Sequence, residues 1–428
     1  MCYEVLFGKG KIKGGGAVKR EVNKYIASLT EGLAALMLER GAAEKVDLLP
    51  ERVAAMARMP TYIRVNNLKL SAQKGLDIVQ AMCADARLDE VIPGLIYIPA
   101  GTPSFGQNAH VKNGELIIQD KASCIPSQTL ADHWEGGDVL DACAAPGNKT
   151  SHVASILLRQ EGMPTPTIVA FDRSKTRSEL LRRRLDEAGA QAVRVKNEDF
   201  LLADVHAPEY AGVRSVLCDP SCSGSGLIRS LDRLGDDDKE DYDERLDSLQ
   251  RLQLSIVKKA MTFPAVRNVV YSTCSVHTME NEDVVAQVLQ DCPGWGLEPP
   301  RSMSGWERRG EPHALLTAQQ SLALIRCLPS DGLNGFFVSN FVRKPAVSAN
   351  PPSHVADMDT DTGTGTGTIP ARGAMEAGQT LDTSTSIDSD RSVTSDQPHP
   401  SQGSIQSSSQ SKETYMWHPL SSIKYLSG

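Results

Sequence analysis

Apolar and polar positions change their rhythm three times along this chain, and each change marks a unit. Between Val18 and about Arg58 the apolar residues Tyr25, Ile26, Leu29, Leu33, Leu36 and Met37 recur at helical spacing with charged residues outside them, which predicts one or two helices of a small bundle. Over 61–121 the pattern becomes mixed. Tyr62–Asn66 reads as a strand, Ala72–Ala86 as a helix, and Leu95–Pro99 and Gly114–Gln119 as further strands, so this stretch predicts a small α+β unit. From Ile125 onward short apolar runs alternate with helical segments: 138–142, a helix to about Leu158, 167–172, a helix from Ser174 through Leu185, 193–195, 213–218, a helix over 246–261, and 266–271. Such alternation favours a mostly parallel sheet. The expected division is a helical region over 1–59, an α+β unit over 60–124 and an α/β domain over 125–344.

Composition adds a fourth segment. Residues 345–428 are rich in Ser, Thr, Gly and Asp, carry the repeat Gly363–Thr368, and hold too few apolar residues to offset chain entropy, so a disordered low-complexity tail is expected. The formal charge of −8 divides unevenly, with −5 on this tail, −6 on an acidic insertion at 231–247 and +3 on the rest. A modestly basic body with acidic appendages permits a polyanionic partner without requiring one. The stretch Asp236–Asp238 reads as a mobile insertion. Arg64, Lys69, Lys74 and Lys112 are candidates to line an RNA groove, against the plainer reading of a scattered solvated face. The nine cysteines show no metal-type or disulfide spacing, which argues against a metal site and for a reducing intracellular compartment. No apolar run reaches bilayer-spanning length and the N-terminus does not read as a signal peptide. Met1–Gly16 reads as a helix end and a glycine-rich loop, so the chain is expected to begin inside a truncated helical domain.

The candidate chemistry collects just past the ends of the predicted strands. Cys222 lies in Asp219-Pro220-Ser221-Cys222-Ser223-Gly224-Ser225-Gly226 and Cys274 in Tyr271-Ser272-Thr273-Cys274-Ser275. Open α/β sheets bind ligands at that edge, so the pair points to covalent chemistry on a bound base rather than to two packing residues. Upstream, Cys143-Ala144-Ala145-Pro146-Gly147-Asn148-Lys149-Thr150 joins a strand to a helix whose first N–H groups can receive a carboxylate, and its small residues allow close approach. Asp172 ends the next strand about 30 residues after the loop, near the spacing at which nucleotide-binding sheets place an acid on ribose hydroxyls; the plain alternative is a helix-entry residue. For Lys149 the plain alternative is a helix-start lysine pointing to solvent.

Taken together, DACAAPGNKTSH, AFD, EDF, LCDPSCSGSG, VYSTCS and ENEDVV resemble, in order and spacing, the Sun-type RNA cytosine-5 methyltransferases. The serine in DPSCSGSG, with LIIQDKASC and MTFP, is most similar to the fifth Sun-domain subfamily, whose members methylate large-subunit ribosomal RNA. The resemblance covers about 1–344 and implies a Rossmann-like class I S-adenosylmethionine-dependent methyltransferase sheet, preceded by the small α+β unit and the helical region. It places Cys143, Ala144, Ala145, Pro146, Gly147, Asn148, Lys149, Asp172, Arg177, Asp199 and Asp219 at S-adenosyl-L-methionine or the adjoining pocket. It makes Cys274 the nucleophile and Cys222 the residue that aids product release, with no metal. Carbon 5 of cytosine is a poor nucleophile until a thiolate adds at carbon 6; Asp219, if its surroundings raise its pKa, can hydrogen-bond the ring nitrogen, and Lys149 can favour the thiolate or orient Asp219. The resemblance further implies a nuclear, nucleolar monomer acting on RNA. The same chemistry on tRNA or mRNA, and a non-catalytic ribosome-assembly role, are the alternatives.

Overall fold

The structure, a computed structural model, describes residue 6 and residues 17–49, 59–102, 104–160, 162–227 and 239–345. The glycine-rich start, the Asp236–Asp238 stretch and the low-complexity tail from 346 on lie outside the described residues. In chain order come α1 (Ala17–Lys24), α2 (Ile26–Arg40), β1 (Thr61–Val65), α3 (Ala72–Gln80), β2 (Arg87–Leu88), β3 (Leu95–Ile98), α4 (Ala109–Lys112), β4 (Leu116–Ile118), α5 (Lys121–Asp132), β5 (Asp138–Asp141), α6 (Asn148–Leu157), β6 (Ile168–Phe171), α7 (Lys175–Glu187), β7 (Arg194–Lys196) and β8 (Val213–Cys218). There follow α8 (Lys239–Met261), β9 (Asn268–Thr273), α9 (Glu282–Asp291), β10 (Trp295–Leu297), α10 (Ala318–Leu322), β11 (Ile325–Cys327) and β12 (Phe336–Arg343).

Two sheets organise these elements. The small one runs β2-β3-β1-β4, with β1 antiparallel to β3 and β4. The large one runs β10-β12-β9-β8-β5-β6-β7, with β11 pairing β12; the pairs β9/β8, β8/β5, β5/β6 and β6/β7 are parallel. Alternate residues of its central strands feed different cores. Val139, Ile168, Leu217 and Val270 belong to one buried cluster, and Leu140, Val169, Val216 and Val269 to the other. Burial on both faces is why these strands read in sequence as continuous apolar runs rather than alternating ones. The order reverses at β5, leaving β6 on one side and β8 on the other, which opens a crevice at the carboxyl ends.

The small sheet is fastened to the large domain by side chains the sequence placed elsewhere. Arg64, 1% exposed, donates to Gln119 Oε1 at 2.9 Å, Ser151 Oγ at 3.0 Å and the Asn148 carbonyl at 3.3 Å. Burial lowers its pKa to about 10, so it stays charged at neutral pH. It therefore braces the start of α6 from beneath and does not line an RNA groove. Lys69 likewise spends its ammonium on the carbonyls of Asn113 and Glu187, at 2.7 and 2.6 Å. Lys74 and Lys112 are exposed.

Three further readings change. The 124/125 line falls inside α5, a helix capped by Asp120, whose side chain accepts the Ala122 N–H; Pro126 at its centre hides it from a helical reading. The helix expected over 246–261 begins at Lys239, so the second half of the acidic insertion is helical. Acidic residues early in a helix suit its dipole, and no apolar stripe is needed there. Finally, β12 returns antiparallel between β9 and β10, an addition that the alternation ending at Cys274 does not announce.

Candidate active site

Every functional side chain sits where a strand of the large sheet ends. Beyond β5, Cys143 and the loop lead into α6; beyond β6 comes Asp172; beyond β8, Asp219 and Cys222; beyond β9, Cys274. A cavity of about 300 Å³ connects them, lined by Cys143, Ala145, Asp172, Arg177 and Asp199, and at its other end by Asp219, Cys222 and Cys274.

At that end five polar groups converge. The two sulfurs, both free, lie 3.2 Å apart. Lys149 Nζ donates to Asp219 Oδ2 at 2.7 Å, and Ser272 Oγ donates to Asp219 Oδ1 at 2.6 Å. The hydrogen bond from Cys222 holds the Cys274 thiol below the ordinary range; burial and the Asp219 charge oppose this, and the Lys149 ammonium assists it. The same hydrogen bond, with burial and the Cys274 charge, pushes Cys222 well above that range. Of the two, Cys274 is thus the sulfur drawn toward thiolate and Cys222 the one drawn toward S–H. Burial works against the Lys149 charge, but the Asp219 carboxylate overrides it and keeps the ammonium protonated. Its Nζ also sits 5.2 Å from the centre of the Phe336 ring.

One prediction follows from that sign. Replacing Lys149 by Met removes a positive charge that stabilises the thiolate, so the thiol pKa of Cys274 should rise. The alkaline-going limb of a pH–rate profile, or of alkylation by iodoacetamide, should move to higher pH. An unmoved limb would show that Lys149 serves Asp219 alone.

The far end of the cavity is suited to a nucleoside. Asp172 Oδ1 accepts the Ser174 N–H at 2.9 Å, and its other oxygen lies 3.3 Å from Arg177, which donates to the Ala145 carbonyl at 2.6 Å. The loop and the acid are thereby held in one arrangement. Asp199 caps a short 3-10 turn by accepting the Leu201 N–H at 3.0 Å, and Phe200 joins the lining. Five of the seven residues from Cys143 to Lys149 are absent from this cavity's lining, and Lys149 meets it through Asp219. Ala144 and Pro146 are absent from its lining, and Gly147, at φ 105°, turns the chain so that it and Asn148 border a separate cavity against β4 and α7. Asn148 accepts from Arg184 there. A Cβ on Gly147 would also come within 2.8 Å of Leu181.

Sequence reasoning missed the scaffold beneath the cysteines. Glu280, fully buried, accepts the Ser223 N–H at 2.8 Å and Gln253 Nε2 at 2.9 Å, and its carbonyl receives the Tyr271 hydroxyl. The loop after Cys222 is further tied by the Gly226 N–H to the Cys274 carbonyl at 3.0 Å. A Cβ at Gly226 would meet the Gly335 carbonyl at 2.2 Å, so β12 closes directly on this loop. Glu282 pairs with buried Arg326, which donates to the Val276 carbonyl at 3.0 Å. In sequence, Glu280-Asn281-Glu282-Asp283 is legible as a motif, yet four polar residues opening a helix look solvent-facing.

A family profile described as 16S rRNA methyltransferase RsmB/F matches residues 128–342, the stretch that builds this edge. The chain belongs to the RsmB/F family. Relatives in curated collections extend the RsmB/F likeness over most of its length. The 25S rRNA (cytosine-C(5))-methyltransferase rcm1 of Schizosaccharomyces pombe is 34% identical over 79% of this chain and 75% of its own. A Mus musculus 28S rRNA (cytosine-C(5))-methyltransferase is 35% identical over 82% and 77%. Among solved structures, a methyltransferase homologue from Pyrococcus horikoshii superposes with a TM-score of 0.53 at 24% identity, covering 73% of this chain and 99% of that one. This supports the Rossmann-like methyltransferase fold.

Proposed function

We propose that the protein transfers a methyl group from S-adenosyl-L-methionine to carbon 5 of a cytosine in large-subunit ribosomal RNA, through a covalent bond from Cys274 to carbon 6. The observation that carries this reading is the pair of sulfurs 3.2 Å apart, one drawn toward thiolate and the other toward S–H, in the lining of a cavity that also holds Asp172. The residues present fit the cofactor: small side chains at Ala142, Cys143 and Ala145 admit close approach, Asp172 suits a ribose diol, and Phe200 a flat ring. When bound it supplies an electrophilic methyl group. The chain's own residues do the rest. Cys274 adds to carbon 6, making carbon 5 nucleophilic, while the Lys149–Asp219 couple presents a proton donor to the ring nitrogen.

Release then falls to Cys222. Its raised pKa depends first on the hydrogen bond to Cys274 and in part on that sulfur's negative charge. Both are lost once the Cys274 sulfur is bonded to carbon, which eases proton loss from Cys222 to water against the burial that remains, and as thiolate it can take the proton from methylated carbon 5. The carbon–sulfur bond breaks and Cys274 is restored as thiolate.

The family profile is titled for small-subunit RNA, whereas the relatives matching over most of this chain are named for 25S and 28S RNA. The latter favour large-subunit RNA, and with it a nuclear and nucleolar site of action; we assign a monomer. No helix of the described residues is long and apolar enough to cross a membrane. The cytosine must leave its stack to reach Cys274. Asp172→Ala should weaken cofactor binding by about 1–3 kcal/mol, the scale for a hydrogen bond to a charged group, measured by calorimetry; unchanged affinity would remove Asp172 from the ribose.

A further inference from the structure

At the opposite edge of the large sheet, where β8 and β9 begin, three arginines stand in a row. Ser215 pairs with Asn268, and Asn268 with Val342. One step outward the ladder continues as Arg214, Arg267 and Arg343, joined by the Arg267 N–H to the Arg214 carbonyl at 2.7 Å and the Arg343 N–H to the Arg267 carbonyl at 2.8 Å. Like charges in register across strands are destabilising. Among the described residues no carboxylate lies within 4 Å of any of the three, nor of Arg301 beside them. All four border a cavity of about 460 Å³.

Two glutamates share this lining, Glu135 and Glu298. Glu298 is turned to His133, whose Nδ1 lies 3.4 Å away while its Nε2 meets the Pro299 carbonyl. The cavity therefore keeps a cationic excess. Its floor is polar and incompletely paired: Asn268, 2% exposed, has an amide nitrogen without a partner. Buried polar atoms left unpaired are costly and rare. Arg343 is spent partly on structure, donating to the carbonyls of Met261 and Phe263 and lying over Trp295. Arg214 and Arg267 are exposed and make no such bonds.

We propose that this cavity is a second RNA contact, in which Arg214 and Arg267 grip a phosphodiester of the substrate strand remote from the target cytosine. The inference rests on the RNA reading above and adds to it. Planar guanidinium forks match phosphate oxygens, and phosphate contacts set register without reading sequence. The six residues of β8 put the two edges on the order of 20 Å apart. Only a substrate long enough to pass around the domain can reach both.

The test compares two large-subunit RNA fragments, a short hairpin holding just the target and a longer one with its flanks, using the full chain and the Arg214→Gln/Arg267→Gln variant. For the long fragment KM should rise several-fold, and the slope of log affinity against log salt should fall by about 1 for each arginine in contact. The turnover number should stay the same, the hairpin should be unaffected, and Arg214→Lys/Arg267→Lys should retain most of the slope. An unchanged KM on the long fragment, or an equal rise on both, overturns the proposal. So does thermal stabilisation of the native protein by inorganic phosphate alone with RNA kinetics unmoved, which would make this a free-anion site. Wild-type turnover of the hairpin is the separate control, since its failure would count against the cytosine-methylation reading itself.

Discussion

Cys274→Ala is expected to reduce methyl transfer by about 10⁴-fold or more, the scale on which loss of a covalent nucleophile acts, while leaving cofactor affinity nearly unchanged. The reason is positional. Cys274 stands at the Cys222–Asp219 end of the cavity, whereas the acid suited to the ribose, Asp172, stands at the other. Truncation to alanine should also cost little stability, because the loop is held through the Cys274 backbone carbonyl and through Ser275, Thr273 and Asn281 rather than through the thiol. Single-turnover kinetics beside calorimetry would check both halves. Appreciable residual turnover would exclude attack by Cys274, and a large loss of cofactor affinity would place it at the cofactor.

Cys222→Ala should give the opposite signature. The adduct through Cys274 still forms and the methyl group still moves, but the proton on carbon 5 is not removed, so the RNA stays attached. A protein–RNA band should survive denaturing electrophoresis, and adding Cys274→Ala should abolish it. Removing Cys222 also removes the hydrogen bond that most lowers the Cys274 pKa, so trapping should need a higher pH than wild-type turnover does. Absence of any trapped species together with normal turnover would make Cys222 a packing residue and send the release step elsewhere.

The sheet's parallel half and the positions of both cysteines were legible because each strand is a short apolar run, buried on both faces, followed by turn residues. Asp172 and the loop from Cys143 could be placed for the same reason. What sequence order did not convey was direction. Arg64 reads as a surface cation within a strand, yet its strand packs that side chain beneath α6; Gly147 and Asn148 belong to the loop, yet a positive φ turns them away from the cavity. Glu280 and Ser223 are 57 positions apart and acquire meaning only when the fold brings them into hydrogen-bond contact. Periodicity describes a residue's own element and says nothing of the element that will cover it.

The most direct test of the central claim is to incubate the full chain with fragments of large- and small-subunit ribosomal RNA, tRNA and methyl-labelled S-adenosyl-L-methionine, and to map the labelled atom. The account predicts label on carbon 5 of a cytosine in a large-subunit fragment, lost with Cys274→Ala. Label confined to tRNA or small-subunit RNA would contradict the substrate, and intact cofactor and RNA binding with no label in any fragment would contradict the chemistry.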